Sequence, residues 1–185
     1  MLSMHELLRP LVLRSGAALV LGLSLAACDS EAGGSDEAAD GADESEPDPA
    51  DPCTPGPAPA LEIGEGASAY TPFEDGATLE LVHGPQGGVH VLLALHAEDI
   101  DASVELEGEL RGYVDGVQLG ASYPFLNMRC KKDEGMEVWN LYLIWDAAPE
   151  DLHLQTVHIE AEIVDAQGVM VSASKDAIIH DALLD

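Results

Sequence analysis

Basic side chains are scarce in this sequence. Its 185 residues include seven Lys and Arg against 35 Asp and Glu, which gives a formal net charge of −28. A field of this sign repels phosphate backbones and the head groups of anionic lipids. Nucleic acid is therefore excluded as an expected partner, and attachment to a membrane would need something other than a basic patch.

The short motifs of the common enzyme classes are also absent. The sequence contains no G-x-S-x-G, no H-E-x-x-H, no P-loop and no G-x-G-x-x-G. Carboxylates are abundant, but no pattern singles out two of them as a catalytic pair. We therefore expect a protein that is not an enzyme, with no catalytic residues and no cofactor.

The N-terminal region lacks an apolar run long enough to span a membrane. Residues 15–27 form an uncharged stretch of thirteen residues, whereas a spanning helix needs about 20. Arg9 and Arg14 precede this stretch, and two alanines end it. A basic start, a short apolar middle and small residues at the end are the order of a secretory signal peptide, so residues 1–27 are predicted to be one.

A cysteine follows this predicted signal peptide directly. The sequence Leu25-Ala26-Ala27-Cys28 resembles the lipobox of bacterial lipoproteins, in which a pair of small residues precedes a cysteine. The resemblance implies that the Cys28 thiol receives diacylglycerol, that cleavage occurs before Cys28, and that the new N-terminus is acylated. Each buried methylene contributes about 0.8 kcal/mol, and two or more chains anchor stably. The implied location is the bacterial cell envelope, with the lipid on Cys28 in the inner or the outer membrane.

An acidic segment separates Cys28 from the rest of the chain. Residues 29–52 contain ten Asp or Glu and no Lys, Arg, aromatic or β-branched residue. Such a composition cannot bury enough apolar surface to offset the entropy of ordering, so it predicts disorder. We therefore divide the chain into the signal peptide, a lipidated, acidic and proline-rich tether at residues 28–60, and one domain at residues 61–185.

Two cysteines remain once Cys28 carries lipid. Cys53 and Cys130 would lie in an oxidising compartment, where a disulfide can persist. A bond between them would close a loop of almost eighty residues and contribute roughly 4 kcal/mol in the loop-entropy model. The alternative is a reactive thiol at Cys130, because its neighbours Arg129 and Lys131 would favour the thiolate.

From residue 61 onward, alternating apolar and polar residues predict half-buried strands. Glycine-containing turns join three pairs of these strands into hairpins, at residues 84–88, at Asp115-Gly116 and at residues 165–168. The alternation also predicts the register of each hairpin. In the first hairpin, His83 should lie opposite Val89 and Leu79 opposite Leu93. In the second, Val114 should lie opposite Val117 and Leu110 opposite Ala121. In the third, Ile163 should lie opposite Val171 and Ala161 opposite Ala173.

Two further segments bear on the fold. Residues 136–145, MEVWNLYLIW, are apolar on both faces and predict a central strand covered on each side. Residues 160–174, EAEIVDAQGVMVSAS, resemble the last two strands of immunoglobulin-like modules, and Trp139 resembles the buried Trp of antibody-type domains. The resemblance implies an all-β fold, an antiparallel two-sheet immunoglobulin-like β-sandwich.

Histidines and carboxylates are the candidate metal ligands. Six residues of strand separate His90 from His96 by about 20 Å, too far for both to bind one ion, and no metal site is predicted there. Three glutamates at positions 105, 107 and 109 would form an acidic ladder on one strand face. With the acidic loop at residues 98–101, this ladder could bind Ca²⁺, or it could simply be solvated.

Two functional hypotheses follow from these patterns. The first is a non-enzymatic envelope lipoprotein whose domain presents loops or an edge strand to an envelope protein or glycan partner. The second is a Ca²⁺-dependent binding module, or a hydrolytic enzyme, that uses clustered carboxylates. Convergence of three or more oxygen ligands in the folded chain would favour the second hypothesis.

Overall fold

The computed structural model describes residues 51–185. The predicted signal peptide at residues 1–27, the lipidation site Cys28 and most of the predicted tether lie outside the described residues.

The regular secondary structure of the described residues is strand with almost no helix, which confirms the all-β prediction. A single helical turn, α1, begins with Pro149 at a position where its missing N–H costs nothing. The elements in chain order are β1 (Ala60–Glu65), β2 (Thr71–Pro72), β3 (Ala77–Glu80), β4 (Val82–His83), β5 (Val89–Glu98), β6 (Leu106–Val114), β7 (Val117–Ser122), β8 (Phe125–Leu126), β9 (Arg129–Lys131), β10 (Gly135–Trp145), α1 (Pro149–Leu152), β11 (Thr156–Val164) and β12 (Met170–His180).

Hydrogen bonds connect the strands into one curled, mixed sheet. Its order is β2-β1-β5-β10-β7-β6-β11-β12-β3, with β4, β8 and β9 attached to β5, β6 and β10. All pairs are antiparallel except β3 with β12. Because β3 pairs with β12 while β4 pairs with β5, the segment at residues 77–83 joins the two halves of the sheet.

The curled sheet encloses one apolar core. The helical turn α1 connects β10 to β11, and its Leu152 side chain is fully buried and covers part of this core. Each such side chain contributes about 1.5–3 kcal/mol when it leaves water. The largest fully buried side chains are Ile63, Leu79, Leu93, Leu95, Ile100, Leu106, Leu110, Leu126, Leu143, Leu152, Ile159 and Ile163.

The first hairpin has the predicted register only next to its turn. His83 lies opposite Val89, as predicted. Leu79, however, pairs with Ile179 of β12, so its predicted pairing with Leu93 is wrong. The strand changes partner at Leu81, whose N–H donates to the carbonyl of His180 at 2.7 Å. The alternation identified the buried face of this segment, but a buried face does not specify which strand lies alongside.

The second hairpin contains a bulge that the alternation did not predict. Val114 lies opposite Val117, as predicted, and the positive φ angles of Asp115 (48°) and Gly116 (78°) are those a type I′ turn requires. The register then shifts by one residue, so Leu110 lies opposite Ser122, and the predicted pair with Ala121 is wrong. The bulge places two glycines opposite each other beneath the ring of Trp145.

The third hairpin has the predicted register throughout. Ile163 lies opposite Val171, and Ala161 opposite Ala173. Gly168 has a φ of 83° and donates its N–H to the carbonyl of Asp165 at 2.9 Å, as expected at a G1 bulge.

Strand β10 is central in the sheet, between β5 and β7, but it is not covered on both faces. Leu143 and Trp145 point into the core, whereas Tyr142 is 43% and Ile144 53% exposed. Trp139, predicted as the buried Trp, is only partly buried, and Trp145, at 4% exposure, is the tryptophan of the core.

A disulfide joins Cys53 to Cys130, with a Cα–Cα distance of 5.5 Å, and confirms the predicted pairing. The alternative of a reactive thiol at Cys130 is therefore wrong. The residues around Cys53 also contact the end of β5, because the N–H of Gly56 donates to the carbonyl of Asp99 at 3.0 Å and the N–H of Ala58 donates to its carboxylate at 3.2 Å. The last residues of the predicted tether are thus held against the sheet.

Candidate functional site

The candidate site is a split in the sheet between β10 and the chain that runs from β7 to β9. Among residues 51–185, β7 pairs with both β6 and β10, β8 pairs only with β6, and β9 pairs only with β10. The chain therefore moves away from β10 after Ser122 and returns at Arg129. Between these points, residues 138–143 of β10 have a strand partner on one side only, β5.

This split forms an open groove with a volume of about 470 Å³. The value falls within the range of about 300–1,000 Å³ that is typical of ligand sites. Two rows of side chains line it, one from each side of the split. They are Ser122, Tyr123, Pro124, Phe125, Asn127 and Arg129, and, from β10, Val138, Trp139, Asn140, Leu141, Tyr142 and Ile144.

Aromatic side chains are concentrated in this groove. The whole chain has two Trp, four Tyr and two Phe, and four of these residues line it. Tyr123 is 70% and Phe125 68% exposed. Exposed apolar side chains are unremarkable singly, but a contiguous group of them marks an interaction site. The chain thus uses half of its aromatic residues on one concave surface instead of in its core.

The charge of the groove differs from that of the rest of the chain. None of its lining residues is Asp or Glu, and Arg129 is the one lining residue with a formal charge. The Arg129 guanidinium lies 4.8 Å from the centre of the Trp139 ring, a distance at which the cation is attracted to the ring face. Within residues 51–185, no carboxylate lies within 4.0 Å of this guanidinium.

A β-bulge in β10 presents the aromatic row. The register against β5 shifts between Val138 and Leu141, so that Trp139 and Asn140 together lie opposite one residue. Asn140 has a φ of 61°, a conformation that Asn tolerates better than most residues. Its N–H donates to the carbonyl of Gly66 at 2.9 Å, and its side-chain oxygen accepts from the Tyr142 hydroxyl at 3.3 Å. These contacts fix the bulge, a device that re-aims side chains next to functional sites.

One polar group of the groove has no partner. The Ser122 hydroxyl oxygen is buried and makes no hydrogen bond among the described residues. A buried hydroxyl without a partner costs about 1–3 kcal/mol. The missing hydrogen bond is thus a local cost at the point where the chain leaves β10.

The basic segment at residues 129–132 divides between two roles. Arg129 faces the groove, whereas Lys131 lies 3.5 Å from Glu137 and also contacts Glu134. The hydrogen bond to Glu134 raises the pKa of Lys131. Cys130 lies between Arg129 and Lys131 in β9. Its disulfide bond to Cys53 therefore fixes the strand that carries Arg129.

The structure places three histidines of the first hairpin and its strands apart, each beside a different partner. His83 lies 2.9 Å from Asp181, whereas the ring of His90 lies 4.7 Å from that of Tyr142. His96 packs beside Tyr70. Within the described part of the chain, the one group of three potential ligands that converge is Asp51 with the two cysteines of the disulfide.

Two of the three glutamates of the acidic ladder interact with other side chains of this chain. Arg111 lies 2.6 Å from Glu109 and 3.3 Å from Glu160, and this guanidinium lowers the pKa of Glu109. Glu105 accepts a hydrogen bond from Asn127 at 2.7 Å. Glu107 is exposed. The loop at residues 98–101 does not join these glutamates in a group of converging ligands among residues 51–185.

Sequence reasoning missed the groove because the alternation of the second hairpin does not show where the chain leaves β10. A usable sign was nevertheless present, since residues 116–132 contain no Asp or Glu in a chain that has 35 of them. Residues 138–145 share this feature. These two acid-free segments supply both sides of the groove.

In residues 51–185, no helix combines the length and the hydropathy needed to cross a membrane.

Comparison of the chain with protein-family models finds no match, and comparison with curated proteins also finds none.

Proposed function

We propose that this chain is a lipoprotein of the bacterial cell envelope, anchored through lipid on Cys28, and that its domain is a non-enzymatic binding module. The observation that carries the binding role is the aromatic, acid-free groove at the split between β10 and residues 122–129. A surface that is concave, rich in exposed aromatic side chains and different in charge from its surroundings is typical of a binding site.

We also propose that the curled sheet forms an immunoglobulin-like sandwich, in which its two halves pack against each other as two sheets. The order β1-β5-β10 corresponds to strands A, B and E of that fold, and β6-β11-β12 corresponds to C, F and G. The switch of residues 77–83 from β12 to β5 would link the two sheets at one edge, and β7 would link them at the other. In this arrangement the groove opens at the edge formed by β7 and β10.

The anchor is supported by the signal-peptide pattern and the lipobox, and it has its own test. Cys28→Ala should abolish incorporation of a labelled fatty acid and release the chain from the membrane fraction. Ser30→Ala is the matched control and should retain both properties. Membrane retention of the Cys28→Ala chain without label would contradict the proposed anchor.

Photo-crosslinking in growing cells tests the binding role, because it captures whichever molecule occupies the groove. A photoreactive amino acid at Phe125 or Tyr142, on opposite sides of the groove, should give the same adduct. The same group at Val164, an exposed position on β11, should not. Equal adducts from all three positions, or no adduct from the groove positions, would contradict a binding role for the groove.

The same experiment also addresses the alternative of a Ca²⁺-dependent module or a carboxylate hydrolase. The adducts should persist when a chelator is added, because the groove lining contains no carboxylate. Their loss on chelation, and recovery with Ca²⁺, would favour the alternative.

A further inference from the structure

We propose that the groove binds a saccharide that carries a carboxylate, with the sugar ring against the aromatic side chains and the carboxylate on Arg129. This inference rests on the proposed binding function and names the ligand class for the same site.

The charge pattern of the groove argues for an anionic ligand. The chain as a whole has a net charge of −28, so an anion approaches it against a repulsive field. The groove is lined by Arg129 and by no carboxylate, and the guanidinium is not engaged by an acidic group within 4.0 Å in the described residues. A guanidinium can bind a carboxylate through two parallel hydrogen bonds. Such a cation is what recognition of an anion requires.

The other lining residues argue for a sugar. A pyranose has an apolar C–H face and a polar edge of hydroxyls. Trp139 and Tyr142 on one side and Phe125 on the other provide aromatic surfaces for such a face. Asn127 and Asn140 provide amide groups that can bond to hydroxyls.

The shape of the groove argues against an extended peptide. β10 is paired with β7 at Ile144 and Trp145, and with β9 at residues 135–137, so both ends of the split are closed by hydrogen-bonded strands. A peptide strand added along β10 would have to continue past these ends. A ligand that enters from the open side, such as a terminal sugar or a side branch, meets no such obstacle. The volume of about 470 Å³ also suits a small ligand.

The test uses pairs of ligands that differ only in charge. Oligosaccharides of glucuronic, galacturonic and mannuronic acid and of N-acetylmuramic acid are compared with their methyl esters, by calorimetric titration of the purified full chain. The ester keeps the sugar ring and removes the negative charge. At least one acid should bind about tenfold or more tightly than its ester.

Three variants assign this preference to the groove. Arg129→Gln should abolish the preference for the acid, so that acid and ester bind this variant with equal affinity. Lys132→Gln removes the same charge from an exposed neighbour that does not line the groove, and it should keep the preference. Tyr142→Ala should weaken acid and ester equally, by about tenfold, because it removes ring contacts common to both.

The outcomes separate the inference from the proposed function. Equal affinity for acid and ester, or equal effects of Arg129→Gln and Lys132→Gln, would overturn the inference. Groove-specific crosslinks in cells would then still support the binding module. Failure of every saccharide to bind overturns the inference, and the additional absence of groove-specific crosslinks overturns the proposed function.

Discussion

The six-membered ring of Trp145 lies directly over Gly112. A β-carbon on Gly112 would come within 2.5 Å of a ring carbon, and Leu143 closes the same space from another side. Trp145 is itself only 4% exposed, so the ring has little room to move.

Gly112→Ala should therefore lower the free energy of unfolding by about 1–3 kcal/mol, the usual cost of overpacking a core. Gly88→Ala is the matched control, because a β-carbon there meets no atom within 4 Å. Urea titrations followed by tryptophan fluorescence measure both. Equal stability of the two variants would show that the Trp145 ring does not constrain this position.

Removal of the disulfide should destabilise the domain. The bond closes a loop with a sequence separation of 77 residues, for which the loop-entropy model gives roughly 4 kcal/mol. The double variant Cys53→Ala/Cys130→Ala should lose about 2–5 kcal/mol in urea unfolding. A reductant should destabilise the unaltered chain to the same extent and leave the double variant unchanged. An effect of the reductant on the double variant would contradict this assignment.

His180 should make stability depend on pH. Its ring lies 2.9 Å from Glu80 and 3.0 Å from Asp185, and hydrogen bonds to these carboxylates raise the pKa of His180 above 6.5. A raised pKa in the folded state means that the protonated form favours folding. The stabilisation is complete below about pH 6.5 and is lost as the pH rises through the folded-state pKa.

Thermal unfolding between pH 5.5 and 9 tests this expectation. The difference in Tm between the unaltered chain and His180→Gln should be largest at pH 5.5 and shrink toward pH 9. A constant difference across this range would mean that the protonation of His180 is not linked to folding.

Asp165 should have the opposite dependence at acid pH. Burial of its carboxylate tends to raise the pKa, but N–H groups of Val169, Gln167 and Asp101 donate to it at 2.8, 2.9 and 3.2 Å and hold the pKa below 3.8. A lowered pKa means that the stabilisation is present above about pH 3.8 and is lost as the pH falls through the folded-state value.

Asp165→Asn should destabilise the chain by about 1–3 kcal/mol at pH 7, since an amide accepts these hydrogen bonds less well than a carboxylate. The difference should diminish toward pH 2. Urea titrations at pH 7 and at pH 2.5 provide the comparison, and a difference that grows at low pH would contradict the expected role of this carboxylate.

Local turn chemistry was the part of the fold that could be predicted best from sequence. Asp115-Gly116 and Gly168 require backbone conformations that few residues adopt, so they set the register next to their turns. Leu79 could not be assigned its partner, because an apolar residue is buried equally well beside either neighbouring strand. The bulge in the second hairpin was unpredictable for a related reason, since it admits the Trp145 ring, which belongs to a strand more than twenty residues away.

The candidate site depends on a relationship that alternation does not encode. Tyr123 follows the end of β7 and continues the apolar alternation of that strand. Because the chain leaves β10 at this point, Tyr123 lies at the surface instead of in the core. The disulfide was predictable because only two cysteines remain after Cys28. The anchor at Cys28 stays a prediction.

The disulfide also determines how the domain would respond to a mechanical load. Tension applied on the N-terminal side of Cys53 passes through the sulfur–sulfur bond directly to Cys130, one residue from Arg129 in the groove. The disulfide path bypasses residues 54–128, which include β1 and its pairing with β5. A pull between the start of the domain and a ligand held at Arg129 would therefore load the disulfide bond and β9, and it would not separate β1 from β5.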